Sequence, residues 1–271
     1  LPIFFVQNLN KVFMQELKVP EVSREFIELF RAARLHLQKV GGEQLDWLRT
    51  DFNFPFRDHL SFRLGNRLFF ILVATADEDI ESPGSLEALE ELAAEANGIA
   101  CLLLMTRSED GTFKPHGTGY SLFALDFITP IEPERLVSDE KVVISDWELQ
   151  RCAAQAMMMH LEKHDLPILA SEIDPQGAPA MWFRSSDGHP HWIVIKGLRY
   201  PHRDAPMPAG WDQKVKFMAE KVPNSKGFFG LVTVASADDD FDPLATEHRY
   251  PLYRGQQYPM KVIGLKGLES L

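Results

Sequence analysis

Cysteine is almost missing: Cys101 and Cys152 are the only two in 271 residues. Two thiols cannot build a disulfide-stapled scaffold or a Cys-rich metal site. Basic charge is also scarce. Twenty-eight Lys and Arg face 39 Asp and Glu, a formal net charge of −11. A surface short of cations cannot displace the counterions along a nucleic acid, which argues against broad nucleic-acid binding. Long apolar runs are lacking too. The longest, residues 68–76 and 99–105, fall well below the ~18 residues of a membrane span. The apolar opening, residues 1–6, has no basic flank and no small-residue cleavage site, so no secretory signal is expected there. No Gly-rich phosphate loop, G-x-S-x-G or dinucleotide fingerprint occurs. The expectation is a soluble, cytoplasmic bacterial protein that uses no cofactor and no metal.

Acidity is uneven. Residues 1–135 hold 13 basic and 21 acidic residues; residues 136–271 hold 15 and 18. Residues 77–95 carry eight acids and no Lys or Arg. Such a run reads as a solvated face, or as a surface for a basic partner.

At ~150 residues per domain the length allows two domains, and an internal repeat makes them specific. His36-Leu37-Gln38-Lys39 matches His160-Leu161-Glu162-Lys163, each closing an amphipathic helix. Ser61-Phe62-Arg63 with a Gly65-Asn66 turn matches Trp182-Phe183-Arg184 with an Asp187-Gly188 turn, and an apolar strand follows each. Helix 85–96 leads through Asn97-Gly98 to strand 99–106; helix 211–222 leads through Lys226-Gly227 to strand 228–235. A final strand in each copy contains Gly-x-x-Tyr, at Gly117–Tyr120 and Gly255–Tyr258. The offset is 124 positions at the His36/His160 match, 121 at Phe62/Phe183 and 138 at Tyr120/Tyr258. The implied fold class is α+β (mixed α/β), a tandem duplication of an α-β-β-β-α-β-β unit, each a central sheet flanked by helices. The expected division is an extension over 1–20, a first unit over 21–130, a connector over 131–144 and a second unit over 145–271. The duplication makes the chain a monomer or a pseudo-dimer of its own halves.

In the second unit, Ser145-x-x-Glu148 is a capping box. Pro179-Ala180-Met181-Trp182-Phe183, a Gly turn, then His191 to Gly197 resembles the restriction-endonuclease-like PD-(D/E)xK nuclease core. The resemblance implies α-β-β-β-α-β over residues 146–235, with two acids holding a divalent metal beside a lysine. Trp192, Val194 and Lys196 share one strand face, as that acid and lysine must. Yet Ala180 and Val194 stand at the acid positions. Hard cations need oxygen ligands, so Lys196 reads as a vestigial catalytic residue on a pseudoenzyme scaffold. Glu172 and Asp174 are the carboxylates that could substitute, and Glu148 could match a helix-borne acid of the family. The acidic composition and strand order are also similar to type III secretion chaperones, which bind polypeptides. The two resemblances differ in one respect: the nuclease core has its fourth strand parallel to the third, and the chaperone sheet is antiparallel throughout.

Other candidate chemistry is sparse. Arg199, His202, Arg203, His189 and His191 form a locally basic stretch around Lys196. Together with Trp182 it is the candidate binding surface, and the one place where nucleic acid could touch the chain. His160 and His164 are spaced to share a helix face, but a zincin Glu does not follow His160. The expected function is a non-enzymatic binding or accessory module whose partner is another protein, with no membrane. The alternatives are a metal-dependent nuclease with relocated acids and a chaperone-like polypeptide binder.

Overall fold

The computed structural model describes residues 22–50, 59–171, 180–186, 188–242, 244–247 and 250–266. The expected extension over 1–20 and the carboxylates Glu172 and Asp174 lie outside the described residues. The chain is a mixed α/β protein made of two similar sheet-plus-helix units, and the division falls between Val142 and Val143.

The first unit opens with α1 (Arg24–Gly41), capped where the Ser23 hydroxyl accepts from the Phe26 amide. Its stripe of Phe26, Leu29, Phe30, Ala33 and Leu37 is buried. β1 (Asp46–Arg49), β2 (Leu60–Leu64) and β3 (Arg67–Thr75) form an antiparallel meander. Gly65 supplies the positive φ of 55° at the β2–β3 turn. α2 (Leu86–Glu95) then crosses over, and β4 (Ile99–Arg107) pairs parallel to β3. β5 (Phe113–Pro115), β6 (Leu122–Phe123) and β7 (Pro130–Ile131) complete the sheet. β3 is buried on both faces. Phe69, Ile71 and Val73 join the α1 core, while Phe70 and Leu72 point the other way. α3 (Pro133–Leu136) follows. Part of the expected connector is hydrogen-bonded to this unit: Asn66 Nδ2 donates to Ser138 and Glu140, and Arg67 Nε donates to the Leu136 carbonyl.

The second unit repeats the plan. α4 (Asp146–Lys163) has the same length as α1, 18 residues. β8 (Ile168–Ser171), β9 (Met181–Arg184) and β10 (Pro190–Arg199) are successively antiparallel. α5 (Trp211–Lys221) crosses to β11 (Gly227–Val234), parallel to β10, and β12 (Met260–Lys266) closes the order β12-β11-β10-β9-β8. A helical crossover brings the chain back to the same end of the sheet, so the next strand runs parallel. The antiparallel arrangement that the chaperone resemblance implies is therefore absent from both units. The final strands also need correction. Gly117–Tyr120 and Gly255–Tyr258 are loops leading into strands: Gly119, Ser121 and Gly255 have φ of 60°, 53° and 84°, which extended backbone excludes.

Helix α4 lies against β10 without an intervening side chain. A Cβ on Gly197 would sit 2.9 Å from the Leu149 carbonyl oxygen and 3.1 Å from Ala153 Cβ. The Gln150 amide clasps the strand there, donating to the Ile195 carbonyl (2.6 Å) and accepting from the Gly197 amide (2.9 Å). Gly197→Ala is expected to cost about 1–3 kcal/mol, because helix backbone cannot rotate out of the way. Urea denaturation monitored by tryptophan fluorescence will measure it.

Candidate functional site

The nuclease-like candidates of the second unit are held apart. Gly197 faces α4, so Lys196 projects from the opposite side of the sheet. It is exposed there, beside Leu231 on the adjoining strand and two residues from Val194. Glu148 belongs to α4 and is committed elsewhere. Its carboxylate accepts from the Ser145 amide (3.0 Å) and, in a fork, from Arg254 Nε (2.8 Å) and Nη2 (2.7 Å). The Arg254 side chain is 1% exposed and that of Glu148 11%. The capping box was readable in the sequence; its arginine, 106 positions away, was not. Among the described residues, no three His, Cys, Asp or Glu side chains group to hold a metal ion.

The predicted basic surface is split by the length of β10. His189 precedes this ten-residue strand; Arg199, His202 and Arg203 lie at its far end, about 30 Å away at ~3.3 Å per residue. At that end Arg199 donates to the Ile144 carbonyl (2.8 Å) and pairs with Asp146 (3.1 Å). Arg203 donates to the Asp242 carbonyl (2.5 Å). His202 is exposed, and its carbonyl accepts from Thr233. His191 and Trp182 leave the surface altogether. His191 is fully buried between Phe183 and Phe228, its Nδ1 accepting from the Lys226 amide. Trp182 is opposite Trp192 in the core beneath α5. Alternation along β9 and β10 directs their side chains to both faces, and a helix covers each face.

Other expected chemistry is also structural. The buried Cys101 thiol is pushed far up by burial, and that of Cys152 up to about 11, so both stay protonated at neutral pH. His160 lies 4.5 Å from His164, centroid to centroid; partial burial, then the neighbouring His164, lowers its pKa. The eight acids of 77–95 are all exposed; Glu78 pairs with Arg107.

Sequence reasoning passed over a cavity in the first unit. It measures about 600 Å³ and is lined by Val40, residues 117–123 and residues 130–134. Its glycine-containing wall is tethered to α1, where His36 Nε2 lies 3.3 Å from the Tyr120 carbonyl. Burial lowers the His36 pKa, so this contact is made by a neutral ring donating N–H. Tyr120 stacks on Phe62, and its buried hydroxyl has no hydrogen-bond partner. In the second copy of Gly-x-x-Tyr, the Tyr258 hydroxyl donates to the Tyr253 carbonyl. Glu134 at the cavity is exposed, and its charge raises the Tyr120 pKa further, after burial.

The hairpin between β6 and β7 rises from this cavity and presents Phe127 (48% exposed) and Ile128 (79%). Phe127 has φ of 63°, a conformation that bulky side chains rarely adopt. Asp126 imposes it. Its Oδ1 accepts from the Ile128 and Thr129 amides (2.8 Å each), and its Oδ2 from the Thr129 hydroxyl (2.6 Å). These bonds, the Thr129 hydroxyl first, hold the Asp126 pKa below the ordinary carboxylate value. The stabilisation is thus complete above that ordinary value, about 3.9, and lost as pH falls through the lower folded value. In an acid titration followed by NMR, the Ile128 and Thr129 amide shifts are expected to move with a midpoint below 3.9; a midpoint at or above it would contradict the assignment.

The second unit is similar to a family described as a domain of unknown function (DUF8840), whose model matches residues 147–268. No curated protein and no solved structure matches the chain. The family match takes in Glu148, Lys196 and Arg254 and leaves out the first-unit cavity and its hairpin. No helix among the described residues is long and apolar enough to cross a membrane.

Proposed function

We propose that the chain is a non-enzymatic binding module for another polypeptide, built on a degenerate nuclease-like scaffold. The observation that carries this reading is the hairpin tip. Phe127 and Ile128 stand in solvent on a loop that the Asp126 bonds keep strained. Backbone strain persists where the surroundings over-determine it, and it gathers at binding and switch regions. Large apolar side chains on a firm loop suit the anchors of a protein interface. The nuclease-like part of the reading is supported by the order α4-β8-β9-β10-α5-β11 with β10 parallel to β11. Its degenerate part is supported by Val194 in place of an acid and by the engagement of Glu148 with Arg254.

Affinity purification of the chain from its native host, after chemical cross-linking, tests the reading. A polypeptide cross-linked to the first unit is the expected product. Metal-dependent DNA cleavage by the purified chain, abolished by Lys196→Ala, would overturn it in favour of a nuclease with relocated acids.

A further inference from the structure

We propose that the first-unit cavity and the β6–β7 hairpin form one docking site for an extended polypeptide segment that carries both a lysine or arginine and a large apolar side chain. This rests on the polypeptide-binding reading above and names the partner's chemistry.

The cavity supplies the recognition of the cation. Val40, Leu122, Ile131 and Pro133 give apolar walls for the methylene stem of a long basic side chain. Glu134 provides an exposed carboxylate that makes no hydrogen bond or ion pair among the described residues. Its neighbour Glu132 is held by Arg135 at 2.6 Å, so among the described residues Glu134 is the unpaired acid of the cavity lining. Tyr120 adds a wall residue whose hydroxyl is unmet, whereas Tyr258, its counterpart in the other copy, donates to a carbonyl of its own loop. The sequence of this half is acidic overall, 13 basic against 21 acidic residues over 1–135, which is the sign a basic partner requires.

The hairpin supplies the apolar contact. Ile128 stands at the exposed tip of the hairpin, and Ile131, on the returning strand β7, lines the cavity. An extended partner therefore meets both features when it carries a basic side chain for the cavity and a large apolar side chain for the hairpin tip. Phe127 separates this role from a structural one. Asparagine tolerates positive φ better than phenylalanine does, and the Phe127 side chain is half exposed. Phe127→Asn should therefore leave thermal stability unchanged or raised while removing the aromatic contact.

The test uses the full chain and two fluorescein-labelled 12-residue peptides, read by fluorescence anisotropy. One peptide places Arg three residues from Leu throughout; the other has Glu in place of every Arg. The Arg peptide is expected to bind, and the Glu peptide to bind at least about tenfold more weakly. Glu134→Gln should weaken the Arg peptide about tenfold, the scale of one charged hydrogen bond, and flatten its salt dependence. Phe127→Asn should weaken it similarly with no loss in melting temperature. No binding of the Arg peptide, or equal binding by wild type and both variants, would overturn the proposal. So would adsorption of the wild type to phosphatidylcholine vesicles in competition with the peptide. If a chain carrying both Glu134→Gln and Phe127→Asn still cross-links its cellular partner, this site falls and the binding-module reading stands. If the wild type captures no polypeptide, both fall.

Discussion

Arg254→Ala is expected to lower the stability of the second unit by about 3 kcal/mol, and Glu148→Ala by about 5 kcal/mol, the two ends of the range for breaking a buried ion pair. The pair is nearly enclosed, with the arginine side chain 1% and the glutamate 11% exposed. The asymmetry follows from what each truncation leaves behind. Without Arg254, Glu148 keeps the Ser145 amide as a donor (3.0 Å) and sits in the first turn of α4. Both oppose the loss, because a helix N-terminus favours negative charge. Without Glu148, a buried guanidinium loses both forked bonds and the capping box goes with them. Glu148→Leu combined with Arg254→Met should fall closer to wild type than Glu148→Ala does, because apolar side chains then replace both members of the buried ion pair. Urea denaturation read by tryptophan fluorescence suits the measurement, since four of the five tryptophans, Trp147, Trp182, Trp192 and Trp211, lie in the second unit. Equal losses for the two single variants would show that the helix terminus contributes nothing to holding the carboxylate.

Trp192→Ala is expected to cost about 3–5 kcal/mol. Its indole is 1% exposed and packs with Trp182, Met218 and Val222. It lies 5.3 Å from the ring of Trp211, centroid to centroid. It also lies across Gly227, its register partner on β11: a Cβ there would come within 2.3 Å of the ring. Gly227→Ala alone should therefore cost about 1–3 kcal/mol through overpacking. In the Trp192→Ala background the same glycine change should be nearly free, because the clashing atoms are gone. The double-mutant cycle is expected to return a coupling of about 1–2 kcal/mol. Strict additivity would show that the indole does not press on that backbone.

Much of the architecture was readable from local pattern. The serine cap at Ser145, the Gly65 turn and the apolar strands depend on neighbours a few residues away, so they surface in the sequence itself. The repeat was visible because both units place the same landmarks in the same order. The loops containing Tyr120 and Tyr258 were misjudged as strands, because a Gly-x-x-Tyr pattern does not disclose the positive φ at Ser121. The candidate site was less legible. His191 and Trp182 belong to strands whose two faces are both covered, and chemistry alone gives no sign of that burial.

By itself, the sequence determined two mixed α/β units, a shortage of cations, and apolar side chains at residues 180 and 194. Those are properties of residue identity and of periods of two or 3.6 residues. Tertiary structure decided which charges are available. It joined Glu148 to Arg254 across 106 positions, moved Arg199 and Arg203 to the opposite end of β10 from His189, and left Glu134 beside an open cavity. The reason is that pairing between distant segments sets burial, and burial determines whether a charged or aromatic side chain stabilises the fold or remains free to meet a partner.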